Sequence, residues 1–244
     1  MQRSNTYVII FTAIMTVVIG GILSFTSQVL GPAQKRSIEF DTKTQILSAV
    51  MQLKKGDDVL GIYKKRIQSS VVDYDGNPIE KDHKGNPIDA AKVNILKNYK
   101  KDPKKREYPV YKFMKEDNPN EIEAYIFPMY GAGLWNAIFG YVALESDMNT
   151  IRGISFGHIQ ETPGLGARIA TREVQKRYEG KTIFEGNKLV SVIMQKGEKK
   201  DPSLFGPHQV DGMSGATLTG KGVNAMLFNY LTSYKGFIDK HRQN

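Results

Sequence analysis

A stretch without charge near the N-terminal end constrains this chain more than any other feature. From Ser4 to Gln34 there is no Asp, Glu, Lys or Arg, and within it Tyr7–Phe25 reads YVIIFTAIMTVVIGGILSF. A helix needs about 20 apolar residues to cross the hydrocarbon core of a bilayer, and this stretch has that length. A cleaved secretory signal, with Arg3 as its basic start, is the rival reading. Against it, the apolar core is long and no clear small-x-small cleavage site follows. A lipoprotein signal would require a cysteine, and the sequence has none. Residues 1–34 are therefore expected to be a short N-terminal tip and an uncleaved single-span anchor. Nothing later is long and apolar enough to span, and a mean hydropathy of −0.38 excludes a polytopic membrane protein.

Composition narrows the chemistry of the rest. The missing cysteines remove disulfides, thiolate metal sites, cysteine-ligated clusters and thiol nucleophiles, and four histidines in 244 residues argue against a histidine-rich metal centre. No metal site is expected. The net charge of +9 is densest at Lys97–Arg106, KNYKKDPKKR. A proline and flanking turn signals make this a solvated loop. No helix-turn-helix, zinc-finger spacing or aromatic RNA-binding strand accompanies it, so nucleic acid is not an expected partner.

Residues 35–120 are expected to form a connecting helix and a polar excursion, and residues 121–244 a compact domain. Gly31-Pro32 is expected to break the membrane helix. Thr42–Leu53 then has a helical pattern, with Thr42 and Gln45 at capping-box spacing and Ile46, Leu47, Val50 and Met51 on one face. Asp75-Gly76-Asn77-Pro78 and Lys84-Gly85-Asn86-Pro87 are turn signals in a region of short strands from Val71 to Lys115. The core is expected to begin near Glu121. Strand candidates are Ala124–Phe127, Asn136–Leu144, Ile151–Ile159 and Leu189–Met194. Helix candidates are Leu165–Tyr178, stopped by Gly180, and Val223–Tyr234, whose apolar residues form a stripe. Strands grouped apart from helices predict an α+β fold: an antiparallel sheet with flanking helices behind one N-terminal transmembrane helix.

Three stretches are richer in turn residues than packing requires. In Asp211-Gly-Met-Ser-Gly-Ala-Thr217-Leu-Thr219, the hydroxyls of Ser214 and Thr217 flank Gly215-Ala216 just ahead of the last helix, where free N–H groups favour phosphate. Gly215, Gly220 and Lys221 have Walker A spacing, but Gly222 replaces the magnesium-binding hydroxyl and no clear strand precedes them. His158-Ile-Gln-Glu161-Thr-Pro-Gly-Leu-Gly166 joins a strand to a helix, with His158 expected to be structural. Gly131-Ala-Gly133-Leu-Trp135 holds the only tryptophan beside a glycine turn that would admit a planar ligand.

Together these motifs resemble the NqrC family, membrane-anchored flavoprotein components of the sodium-translocating NADH:quinone reductases. Asp-x-x-Ser-Gly-Ala-Thr at 211–217 matches the signal of flavin transferases, and ETPGLG at 161–166 with Gly133-Leu134-Trp135 resembles the other turns of that FMN-binding domain. The resemblance covers nearly the whole chain. The related RnfG component of the Rnf complex shares both motifs but is typically shorter between anchor and core. The resemblance implies FMN joined covalently through its phosphate to Thr217. Ser214, Gly215 and Ala216 would then shape the turn, and Thr219 would donate to the phosphate. Glu161, Thr162, Gly164, Leu165 and Gly166 would line the flavin, with Leu134 and Trp135 as apolar contacts. It also implies electron relay from NADH toward ubiquinone coupled to Na+ export, partner subunits, a flavin transferase for maturation, and an inner-membrane location with the soluble domain in the periplasm. No acid–base pair or nucleophile is demanded, and no G-x-G-x-x-G follows a strand, so the chain alone is not expected to oxidise NADH. A tethered flavin reductase acting on a small acceptor and a non-redox phosphate-binding module are the alternatives.

Overall fold

The computed structural model describes residues 4–81 and 85–242. It divides into two compact units, Met1–Thr42 and Lys43–Asn244.

Helix α1 runs from Asn5 to Ser48. Its N-terminal portion is apolar, exposed and long enough to cross a membrane. Pro32 lies inside α1, so the break expected at Gly31-Pro32 does not occur. Proline removes one intrahelical bond and crowds the preceding turn, but a helix continuing for several turns on both sides absorbs that local loss. Thr42 does not cap a new helix either; its hydroxyl donates to the Ile38 carbonyl within α1 at 2.8 Å.

The second unit is built on one antiparallel sheet in simple up-and-down order, β1(Ile67–Val72), β2(Tyr108–Met114), β3(Ile122–Ala132), β4(Ala137–Glu145) and β5(Ile151–His158). A core beginning near Glu121 would omit the first two strands. β1 and β2 pair in register from Ile67↔Phe113 to Val72↔Tyr108 across the polar excursion. Both faces of the sheet are covered, and the two-residue period of a strand sorts its side chains between them. Tyr108, Val110, Tyr125, Phe127 and Met129 enter one core with Val223, Leu227, Leu231 and Phe237. Tyr111, Phe113, Ala124 and Ile126 enter the other with Ile46, Leu47, Val50 and Val59. The first face is closed by α5(Thr217–Ser233) and α6(Lys235–His241), the second by residues 46–50 and α2(Val59–Arg66). Arg152 ties the second layer down, donating to the Val50 carbonyl at 3.0 Å and pairing with Glu123 at 2.5 Å.

The excursion is ordered where described. Its first turn closes with Asn77 donating to Asp73 and a bridge between Val72 and Pro78; Lys84 of the second turn lies outside the described residues. Lys97–Arg106 contains the end of α3(Ile95–Tyr99) and a 3-10 turn, with exposed lysines. The helix expected over Leu165–Tyr178 is instead a 3-10 segment, Gly166–Ala170, and a short α4(Arg172–Lys176). Thr171 separates them in an extended conformation, its hydroxyl bonded to the Arg168 carbonyl at 2.7 Å in competition with helix continuation. Likewise Leu189–Met194 is not one strand. After the small hairpin β6(Phe184–Glu185)–β7(Lys188–Leu189), Ser191 takes a positive φ, and β8(Ile193–Met194) pairs in parallel with β9(Gln209–Val210).

Candidate flavin site

The three glycine-rich turns, distant in sequence, meet at the start of α5. Thr217 is the first residue of that helix and partly exposed. Its N-cap residue, Ala216, makes no side-chain cap hydrogen bond, which leaves backbone N–H groups for an anion. Gly215 has φ +72°, and a Cβ there would press on the Leu165 side chain at 2.8 Å. Only glycine fits both demands at low cost.

Beside Thr217 lies a cavity of about 260 Å³, lined in part by Met194, Lys196, Met213, Lys221 and Asn224. Lys196 and Lys221, both exposed, bring two cations to it. Asn224 holds the wall by exchanging hydrogen bonds with the backbone of Met194 at 2.8 and 3.0 Å. Gly220 and Lys221 lie within α5, so the Walker A spacing is coincidental.

The Asp211 end of the loop is fixed by charge. Asp211 is buried and accepts from the backbone of Lys199, Lys200 and Gly212 at 2.7–3.1 Å. Arg177 donates to the Gly212 carbonyl at 2.5 Å and, with Arg168, grips Glu198. Hydrogen bonds from Arg168 first, then Arg177, hold the Glu198 carboxyl far below the usual carboxylate range despite partial desolvation.

On the other side, Leu134, Trp135, Thr162, Gly164 and Leu165 are exposed. The Trp135 indole donates to the Thr162 hydroxyl at 3.1 Å, joining two of the turns. Glu161 points inward instead. It is 4% exposed, accepting from the Trp135 backbone at 3.0 Å and from the Thr219 hydroxyl at 2.5 Å. Burial raises its pKa, but the bonds from Thr219 and from the backbones of Trp135, Leu134 and Asn136 outweigh this and hold it below the ordinary value. Two expected roles change accordingly. Glu161 faces the turns rather than a ligand surface, and the single hydroxyl proton of Thr219 goes to Glu161 rather than outward. Gly166 is buried against this pair. His158 is structural, its Nδ1 accepting from the Glu161 N–H at 3.3 Å.

The FMN-binding domain family matches residues 133–232, a span that takes in Gly133–Trp135 of the first turn and the whole of the other two. The NqrC protein of Haemophilus ducreyi, from its Na(+)-translocating NADH-quinone reductase, is 33% identical over 88% of this chain and 85% of its own length. The chain belongs to the NqrC family. The corresponding protein of Pseudomonas aeruginosa is 30% identical over 94% of this chain and 92% of its own. The crystal structure of the Parabacteroides distasonis counterpart superposes with a TM-score of 0.73 at 32% identity, covering 88% of this chain and 98% of that one. Family membership, the antiparallel sheet and the long apolar N-terminal helix together fit an inner-membrane flavoprotein of electron and sodium transport. Of the residues about the cavity, sequence reasoning missed Met194, Lys196 and Asn224. Asn224 carried a usable signal, since asparagine is a poor choice for a helix interior unless its amide has a partner.

Proposed function

We propose that this chain holds FMN covalently on Thr217 and acts as an anchored electron carrier in a Na+-translocating NADH-quinone reductase. The observation that carries the reading is the setting of Thr217: a partly exposed threonine at a helix N-terminus whose cap residue, Ala216, makes no side-chain hydrogen bond, beside a cavity that Lys196 and Lys221 line. A phosphoester there would have both lysines and the first N–H groups of α5 within the same small region. Leu134, Trp135 and Leu165 are 45%, 69% and 41% exposed; large apolar side chains clustered at a polar turn suit the face of a planar ring. FMN supplies the redox chemistry, and the protein supplies attachment, orientation and a local field. Electron relay from NADH toward ubiquinone, Na+ export, partner subunits, a flavin transferase and a periplasmic soluble unit complete this reading.

The test is coexpression with a flavin transferase followed by intact-mass measurement of the full chain. The wild type should gain the FMN phosphoester mass and fluoresce in a denaturing gel. Thr217→Ala should gain nothing, and Thr217→Ser should retain part, since only a hydroxyl is required. An FMN mass on the Ala variant would move the attachment to Ser214 or Thr219 and refute the assignment.

A further inference from the structure

We infer that Glu161 is a positioning residue whose buried carboxylate couples the Gly133–Asn136 turn to the first turn of α5, thereby setting how Leu134 and Trp135 stand relative to Thr217. The inference rests on the reading of Thr217 as the flavin attachment point.

A carboxylate can accept on two oxygens at once. Here Oε1 takes the Trp135 N–H and Oε2 the Thr219 hydroxyl, so one side chain bridges segments 26 and 58 residues away. The backbones of Leu134 and Asn136 also bond to it. Among the described residues Glu161 has no salt-bridge partner, and its bonds come from neutral donors that keep a buried carboxylate ionised without one. Space around the bridge is closed. A Cβ on Gly133 would run into Oε1 and Ile138, and one on Gly166 would run into Oε2 and the Thr219 hydroxyl. The neighbouring Thr162 carries the indole of Trp135, so the same short segment holds that residue by backbone and by ring. The carboxylate is thus committed to protein donors from both sides of the site and does not present an oxygen to a ligand.

Positioning and charge make different demands on a substitution. Glutamine can aim its amide oxygen at the Trp135 N–H and its NH2 at Thr219, whose hydroxyl turns round to accept. The bridge survives while the charge is lost. Alanine removes both arms, and Thr219→Val removes only the α5 arm.

The full chain, in detergent, is coexpressed with a flavin transferase, and the rate of FMN mass gain is compared among variants. Glu161→Gln should load at a rate similar to wild type, whereas Glu161→Ala and Thr219→Val should slow by on the order of tenfold to a hundredfold, the usual consequence of a misplaced reacting group. In a flavin-free Thr217→Ala background, acrylamide should quench the sole tryptophan more readily in Glu161→Ala than in Glu161→Gln. Loading of Glu161→Gln as slow as that of Glu161→Ala would overturn positioning in favour of a charge requirement. Wild-type rates in Glu161→Ala or Thr219→Val would overturn the bridge. Should Glu161→Ala lose its cooperative thermal transition, the order of Glu161→Gln and Thr219→Val decides. A wild-type chain that takes no FMN would instead refute the parent reading, and the quenching comparison would still test the bridge.

Discussion

Replacing Gly222 by alanine should force the start of α5 away from the end of β3, whereas the same change at Gly220 should be nearly silent. A Cβ on Gly222 would stand 3.3 Å from the Gly133 Cα and nearer still to the Ala132 carbonyl oxygen, about 1 Å inside ordinary contact. Both obstacles are backbone, so no rotamer change relieves them. Overpacking costs about 1–3 kcal/mol, and two facing backbones put this case near the upper value. Alanine returns about 1 kcal/mol through helix propensity. The net loss of about 2 kcal/mol should lower the Tm of the roughly 200-residue unit Lys43–Asn244 by about 4–8 °C. At Gly220 the nearest atom is the Met194 Sδ at 3.1 Å, the far part of a flexible side chain. Its small displacement and the propensity gain nearly cancel, leaving about ±0.5 kcal/mol. Thermal unfolding of both full-length variants, followed by circular dichroism, separates the two cases. Equal Tm values would refute the close approach of α5 to the Gly131–Gly133 turn.

Two other perturbations probe the charged loop and the orientation. Because Glu198 binds its proton less readily folded than unfolded, its contribution is complete above the ordinary value of 4.5 and is lost as pH falls below it. Glu198→Gln should lose about 1–2 kcal/mol at neutral pH, since Arg168 and Arg177 lose a charge partner but keep the exposed Glu173, yet lose less further stability than wild type on acidification; parallel acid-unfolding curves would exclude this role. For orientation, Lys104→Cys gives an exposed thiol in a cysteine-free chain. With the outer membrane permeable, a maleimide that cannot cross the inner membrane should label it in intact cells, and labelling only after lysis would place the soluble unit in the cytoplasm.

Local pattern carried some elements and not others. The uncharged run, strands β3 to β5 and the apolar stripe of α5 are visible because each depends on neighbours within a few residues. β1 and β2 pair across more than thirty intervening residues, and β2 is buried on both faces, which erases the alternation that marks a half-exposed strand. Pro32 misleads because a local penalty is outweighed by helix on both sides. At the site, the glycine turns were legible as turns, and the flavin resemblance came from their particular residues. Side-chain direction was not legible. Glu161 and Thr219 stand among exposed neighbours in sequence but turn inward toward donors and acceptors from other turns. Asp211 has the same character, its partners lying 11 and 12 residues upstream as well as next to it.

That fate of Asp211 changes what kind of signal the segment 211–217 is. Written as letters it resembles a peptide tag, legible to an enzyme in any extended chain. Folded, its first three residues and Ala216 are buried, while Ser214 and Gly215 are exposed and Thr217 is half-hidden at their edge. The aspartate is therefore felt as the shape it imposes on the 198–200 turn, not as a charge displayed to a visitor. If Thr217 carries FMN as proposed, the enzyme that attaches it would meet this folded surface, and a short peptide carrying these seven letters would lack the contacts that fix Asp211.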